Sequence, residues 1–201
     1  MNLGKFGLTG VVVAILIGLA LLGAGAYNRL VGLEEGVDAA WSNVENVYQR
    51  RADLIPNLVE TVKGAADFEQ ETLQAVVDAR SRVGQVNLNG APDAAELQEF
   101  QAAQDGLSSA LSRLLVVVEN YPQLRATEGF LELQSQLEGA ENRIAVERNR
   151  FNEAAQTYNT ARRRFPAALF AGMFGFDEKP YFASAPGADQ APAVDFSDDD
   201  G

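Results

Sequence analysis

The chain has 201 residues, 47% of them apolar, and a net charge of −12. That size suggests one globular domain plus an extra segment, and the acidic balance argues against nucleic acid as a partner, since phosphate binding needs a basic surface. With no cysteine and no histidine, disulfides, thiolate nucleophiles, thiolate zinc sites, histidine general bases and Glu-x-x-His di-iron sites are excluded.

Residues 1–5 form a short N-terminal segment, and residues 6–28 carry no charge. As a helix that run is about 34 Å long, enough to cross a bilayer core of about 30 Å. It is too long for the core of a cleaved signal, so an uncleaved single-pass anchor in the membrane lipid is expected. Lys5 and the terminal amine precede it and Arg29 follows it. This leans towards a soluble domain on the extracytoplasmic side of the cell membrane. Gly10, Ala14 and Gly18 recur every four residues, a spacing that lets membrane helices approach closely.

Past Tyr27 the apolar residues adopt a helical period. Leu33, Val37, Trp41, Val44, Val47 and Tyr48 begin a stripe that stays in phase to about Val83. Pro56 lies inside it and predicts a kink. A loop is expected from Gly84 to Pro92. Asp93 and Glu96 have the spacing of a capping box at the start of a second helix. Phe100, Leu107, Leu114 and Tyr121 mark its apolar row, and Pro122 its end. In the third helix Phe130, Leu137, Ile144, Phe151, Tyr158 and Phe165 stand seven apart, before Pro166. Arg162, Arg163 and Arg164 fall in its last turn, where they suit the helix dipole.

The fold class is therefore all-α: a transmembrane helix followed, over residues 29–176, by a coiled-coil-like antiparallel bundle. The bundle consists of a long kinked first helix plus two more, or of four helices if the chain turns back near Pro56. The second helix is much shorter than the first, which leaves the stripe from Leu33 to Tyr48 bare. Bare apolar stripes of that length are unusual on monomers, so the stripe is a candidate interface of a homo-oligomer. Residues 177–201 hold half the net charge and are expected to be a disordered acidic tail. Residues 165–176 are uncharged and too short to span a bilayer. They are expected to pack across the end of the bundle, the alternative being that they dip into the membrane interface.

Several strings carry a family resemblance: Tyr27-Asn28, Ala40-Trp41-Ser42, Arg50-Arg51-Ala52-Asp53-Leu54-Ile55-Pro56-Asn57-Leu58-Val59, Glu119-Asn120-Tyr121-Pro122, Glu141-Asn142-Arg143-Ile144 and Phe165-Pro166. In this order they resemble the LemA family of bacterial membrane proteins, over about Tyr27 to Phe182. The resemblance implies one N-terminal membrane helix, a helical soluble domain and no defined activity. It also implies association with a TPM-type membrane protein and with magnetosome membrane proteins.

Arg50, Arg51, Asp53 and Asn57 surround Pro56 and form a candidate polar network at the kink, serving the carbonyl that proline frees. Glu141 and Arg148 suit charges at the bundle edge. Asn142, Asn152 and Asn159 are expected to bond between helices. No phosphate loop, nucleophile elbow or facing carboxylate pair is present, so no enzyme activity, catalytic residue, cofactor or metal is expected. The sequence points to a non-catalytic membrane scaffold that self-assembles or docks a membrane partner. The alternative is a membrane sensor or regulatory adaptor signalling through the Pro56 kink.

Overall fold

The computed structural model describes residues 3–64, 69–86 and 90–183, and the described residues contain helices and no strand. Helix α1 runs from Leu3 to Lys63 without interruption. Its 61 residues give a rod about 90 Å long. The chain turns at Gly64 and returns as α2 (Gln70–Val83). It reverses again into α3 (Ala94–Val118). A single turn, α4 (Pro122–Arg125), begins on its proline, which fits the first helical position because it has no N–H to satisfy. Helix α5 (Glu128–Arg163) descends beside α1 for most of the bundle, and the short α6 (Ala167–Phe170) ends the helical part.

The start of α3 is fixed as its sequence predicts. Asp93 accepts hydrogen bonds from the Ala95 and Glu96 amides, and the Glu96 carboxylate accepts one from the Asp93 amide. Ahead of it, Gly90 holds a φ of +90°, a left-handed backbone that favours glycine. The next amide, Ala91 N–H, donates to Asp38 on α1, which ties the α2–α3 loop to the first helix.

The first helix differs from the sequence expectation in two respects: α1 ends at Lys63 instead of continuing to about Val83, and the place of the turn is not the one expected. The chain does turn back to make a four-helix bundle, but at Gly64 rather than near Pro56. The stripe keeps its phase past this turn because α2 presents Leu73, Val76 and Ala79 to the same core as Leu58 and Val62. Periodicity reports which face is apolar, and two helices facing one core can share a phase. Residues 65–68, within the expected range of the stripe, lie outside the described residues.

The core has two parts. The distal part joins α1, α2, α3 and α5 through residues such as Ile55, Leu58, Val76, Leu107, Leu114 and Phe130. The proximal part gathers Leu30, Val37, Trp41, Val44, Phe100, Phe151, Tyr158 and Phe182. Helices α1 and α5 make the most extensive pairing, and Ala140, Ala155 and Ala161 on α5 are buried. Helix α2 meets α1 at Ala52 through Arg80 and ends at Val83. Below it α3 and α5 flank α1, and one further element completes the cover.

That element is the chain after α6. Residues 177–183, expected as the start of a disordered tail, run back along α1 and α5, and Phe182 is buried between Trp41 and Phe151. Acidic composition obscured Phe182, whose burial outweighs the cost of ordering the short segment, while the neighbouring Tyr181 stays exposed. The remainder of the expected tail, residues 184–201, lies outside the described residues.

Candidate functional site

The first candidate feature is the apolar part of α1. From Gly10 onward this helix contains a stretch apolar and long enough to cross a membrane, and only 12% of that stretch is buried. Val11, Ile15, Leu16 and Leu22 all lie exposed. Gly10 and Ala14 are exposed and Gly18 is partly buried. A methyl group at Gly10 or Gly18 would meet nothing within 4 Å. This face is thus open to lipid or to another helix.

The second candidate, the stripe, is not a bare interface. Val37, Trp41, Val44 and Tyr48 are buried within the single chain, and Leu33 and Val47 are half-buried. Trp41 is packed edge-on by Phe100 at 5.1 Å and Phe151 at 5.6 Å, and stacked by Phe182 at 6.1 Å. The stripe is covered by α5 through Ile144, Phe151, Ala155 and Tyr158, by the start of α3 through Leu97 and Phe100, and by Phe182 of the returning tail. The expectation of a bare stripe took the second helix to descend from the far end of the first. Because α2 comes down first, α3 starts low on α1, where the loop ahead of it bonds Asp38.

The third candidate divides into separate parts. Arg50, Asp53 and Asn57 are exposed. Asp53 accepts from Gln49, and the Asn57 carbonyl accepts from Thr61. None of the four serves the carbonyl left free by Pro56. That carbonyl belongs to Ala52, four residues earlier, and it accepts from Arg80 Nε of α2 at 3.1 Å. The partner comes from another helix, so local spacing could not reveal it.

Arg51 alone of the set is buried. Its guanidinium donates to Gln104 and, at 2.9 Å, to Ser108 of α3, and it meets Glu141 of α5 at 2.5 Å. It also lies 5.2 Å from the centre of the Tyr48 ring. This polar layer falls between the two parts of the core, at the level where extended chain gives way to α2. The arrangement fixes the register of three helices, the best-attested use of a buried polar layer. Glu141, expected at the bundle edge, is the half-exposed end of this pair.

The sequence missed the clamp on the C-terminal segment. Asn159 donates to the Lys179 carbonyl at 2.8 Å and accepts from the Lys179 amide at 3.0 Å. Asn152 does the same with Phe182, at 3.2 Å and 2.9 Å. Seven helical residues rise about 10.5 Å and three extended residues about 10 Å, so the two spacings match. These asparagines bond to extended backbone and not between helices, and Asn142 is exposed. Arg148 donates to the Ala183 carbonyl and covers the Phe182 ring. Arg162 donates to the Phe176 carbonyl at 2.6 Å, beyond any dipole effect. The signal available in the sequence was the pair of asparagines on one helix face with an aromatic pair in an otherwise polar tail.

No group of three metal-ligating side chains gathers among the described residues. Burial pushes the Tyr158 phenol up to about 12, with the Glu34 carboxylate adding to the effect. Its hydroxyl is buried with no hydrogen-bond partner among the described residues, and it has no substrate-accessible face to act on. The arrangement is one of packing and register.

Comparison with known proteins gives the family of the chain. The model described as the LemA family matches residues 40–196. The magnetosome protein MamQ 2 of Paramagnetospirillum magneticum is 29% identical across 81% of this chain and 66% of its own length. The magnetosome protein MamQ of Magnetospirillum gryphiswaldense gives the same figures. The protein LemA of Metamycoplasma hominis is 23% identical across 68% of this chain and 59% of its own. The chain thus spans somewhat less than two thirds of the length of the curated relatives it matches.

Proposed function

As this chain belongs to the LemA family, we propose that it acts as a non-catalytic, membrane-anchored helical scaffold that docks a membrane partner. The observation that carries this reading is the continuity of α1. One helix supplies the apolar stretch and then the central rod of the bundle, with no linker between them. A bundle so mounted stands about 50 Å off the bilayer at a fixed angle to its anchor. That is the property of a spacer or platform. The names of its relatives carry no reaction, and a TPM-type membrane protein is the partner class the family resemblance favours.

In this reading the exposed Gly10, Ala14 and Gly18 face receives a second membrane helix, from a partner or from another copy of the chain. The bundle lies outside the cytoplasm, on the balance of Lys5 and the amine against Arg29. Arg163 and Arg164 reach the same end only through folding, after topology has been decided. A sensor working through Pro56 draws less support, because Arg80 braces that turn from α2.

The test uses the full chain in native membranes, with a photo-crosslinking residue placed singly on exposed bundle positions Val116, Leu131 and Val146. A protein that resists alkaline extraction and yields a discrete adduct with a membrane protein or a second copy supports the scaffold. Extraction by alkali, or the absence of any adduct in native membranes, overturns it.

A further inference from the structure

The uncharged segment from Phe165 to Phe176 splits into two faces. Ala167, Ala171 and Phe176 are buried, whereas Phe165, Leu169, Met173 and Phe174 are 75%, 63%, 76% and 51% exposed. The expectation of packing across the bundle end therefore holds for only half of it. The exposed half needs a cover, and the position of the segment indicates which.

Helix α1 serves as a depth gauge. The Phe170 ring lies against Gly23, 3.5 Å from where a Cβ would stand. Tyr27 meets Phe174 and Phe176 edge-on at 5.3 Å and 5.4 Å. Gly23 is inside the uncharged run, and the first charge beyond it is Arg29, about 9 Å further along the axis. A ring beside Gly23 thus stands about 9 Å on the membrane side of Arg29. Interfacial apolar faces sit about 5–10 Å into the boundary of headgroups and acyl chains.

The rim of this surface has matching chemistry. A cleft of about 300 Å³ between α1 and the start of the segment is lined by Leu21 and Leu22 below and by Arg29 and Arg164 above. Neither arginine has an ion-pair partner among the described residues. Guanidinium groups above apolar walls suit lipid phosphates above acyl chains.

We propose that Phe165–Phe176 is a second membrane-embedded element, whose exposed face enters the near leaflet of a phospholipid bilayer beside α1 while Arg29 and Arg164 meet the headgroup phosphates. This rests on residues 6–28 crossing the membrane. The consequence is a two-point attachment: the span sets position, and the re-entering segment fixes rotation and tilt of the bundle about it.

The chain contains no cysteine, so single labels can be placed without removing any. Nitroxides at Leu16→Cys, Leu169→Cys, Met173→Cys and Val116→Cys of the full chain in phospholipid nanodiscs are read for collisions with oxygen and with a water-soluble nickel chelate. The expected result is oxygen-dominated relaxation at 16, 169 and 173, with 169 and 173 shallower than 16, and nickel-dominated relaxation at 116. Positions 169 and 173 behaving like 116 while 16 stays in lipid overturns the proposal and leaves the span intact. Low collision with both reagents at 169 and 173 means a protein covers them, which also overturns it. Position 16 behaving like 116 overturns the span itself.

Discussion

Arg51 and Glu141 meet at 2.5 Å across α1 and α5, but they experience different surroundings: the arginine side chain is 1% exposed and the glutamate 49%. The asymmetry decides what each substitution does. Removing Glu141 strands a buried cation that then has only Gln104 and Ser108 as acceptors. Removing Arg51 leaves the glutamate free to meet water.

Glu141→Ala is therefore expected to be costly for so exposed a position, about 3 kcal/mol, as for a broken buried pair. Arg51→Met in the same background should recover part of that loss. Denaturant unfolding of the full chain in detergent, taken round the double-mutant cycle, measures the coupling. A Glu141→Ala cost below about 1 kcal/mol would show that the pair behaves as a surface bridge.

The second prediction concerns Pro56. Its missing N–H leaves the Ala52 carbonyl to Arg80. Arg80→Ala should cost about 1–2 kcal/mol in the wild type. In a Pro56→Ala background the restored backbone amide can serve that carbonyl, so the same change should cost only a few tenths. Equal costs in the two backgrounds would mean that Arg80 does not answer the proline.

These cases show what the sequence could and could not convey. The all-helical character, the Asp93 cap and the third-helix apolar row as far as Tyr158 depend on neighbours close in sequence or on a simple period, and they were legible. That Trp41 lies on an apolar face was legible, but that its own chain buries it was not. The Arg80 contact to Ala52, the Arg51 contacts to α3 and α5, and the burial of Phe182 pair residues far apart in the chain. Nothing local distinguishes an arginine bound for a distant carbonyl from one bound for water. The turn at Gly64 was hidden because α2 continues the phase of α1. The exposed half of Phe165–Phe176 was visible as uncharged chain, but its place beside the apolar stretch of α1 required knowing that it folds back to Gly23.

The third prediction tests the clamp. Asn159→Ala removes both partners of the Lys179 backbone pair and should cost about 2–3 kcal/mol. It should also speed hydrogen exchange at Lys179 and Phe182 ahead of the helices, because the segment opens as a local unit. Asn142→Ala, at an exposed position on the same helix, should change stability by no more than about 0.5 kcal/mol. Unchanged exchange at residue 179 in Asn159→Ala would show that the aromatic packing of Phe182 holds the segment by itself.

Tyr158 gives the chain an alkaline signature. Burial, assisted by Glu34, holds its phenol at about 12, whereas an unfolded chain ionises tyrosine near pH 10. The folded pKa is raised, so the unfolded state gives up its proton first. The stability is fully present below about pH 10 and is lost as pH rises towards 12, by up to about 3 kcal/mol. Tyr158→Phe lacks this loss. The hydroxyl has no hydrogen-bond partner among the described residues, so at pH 7 the variant should match or slightly exceed the wild type. Between pH 10 and 12 the gap should widen in the variant's favour. Tyr48, whose phenol is also raised by burial, is present in both proteins and cancels from the comparison. A gap that stays constant across that range would place the Tyr158 hydroxyl in contact with water.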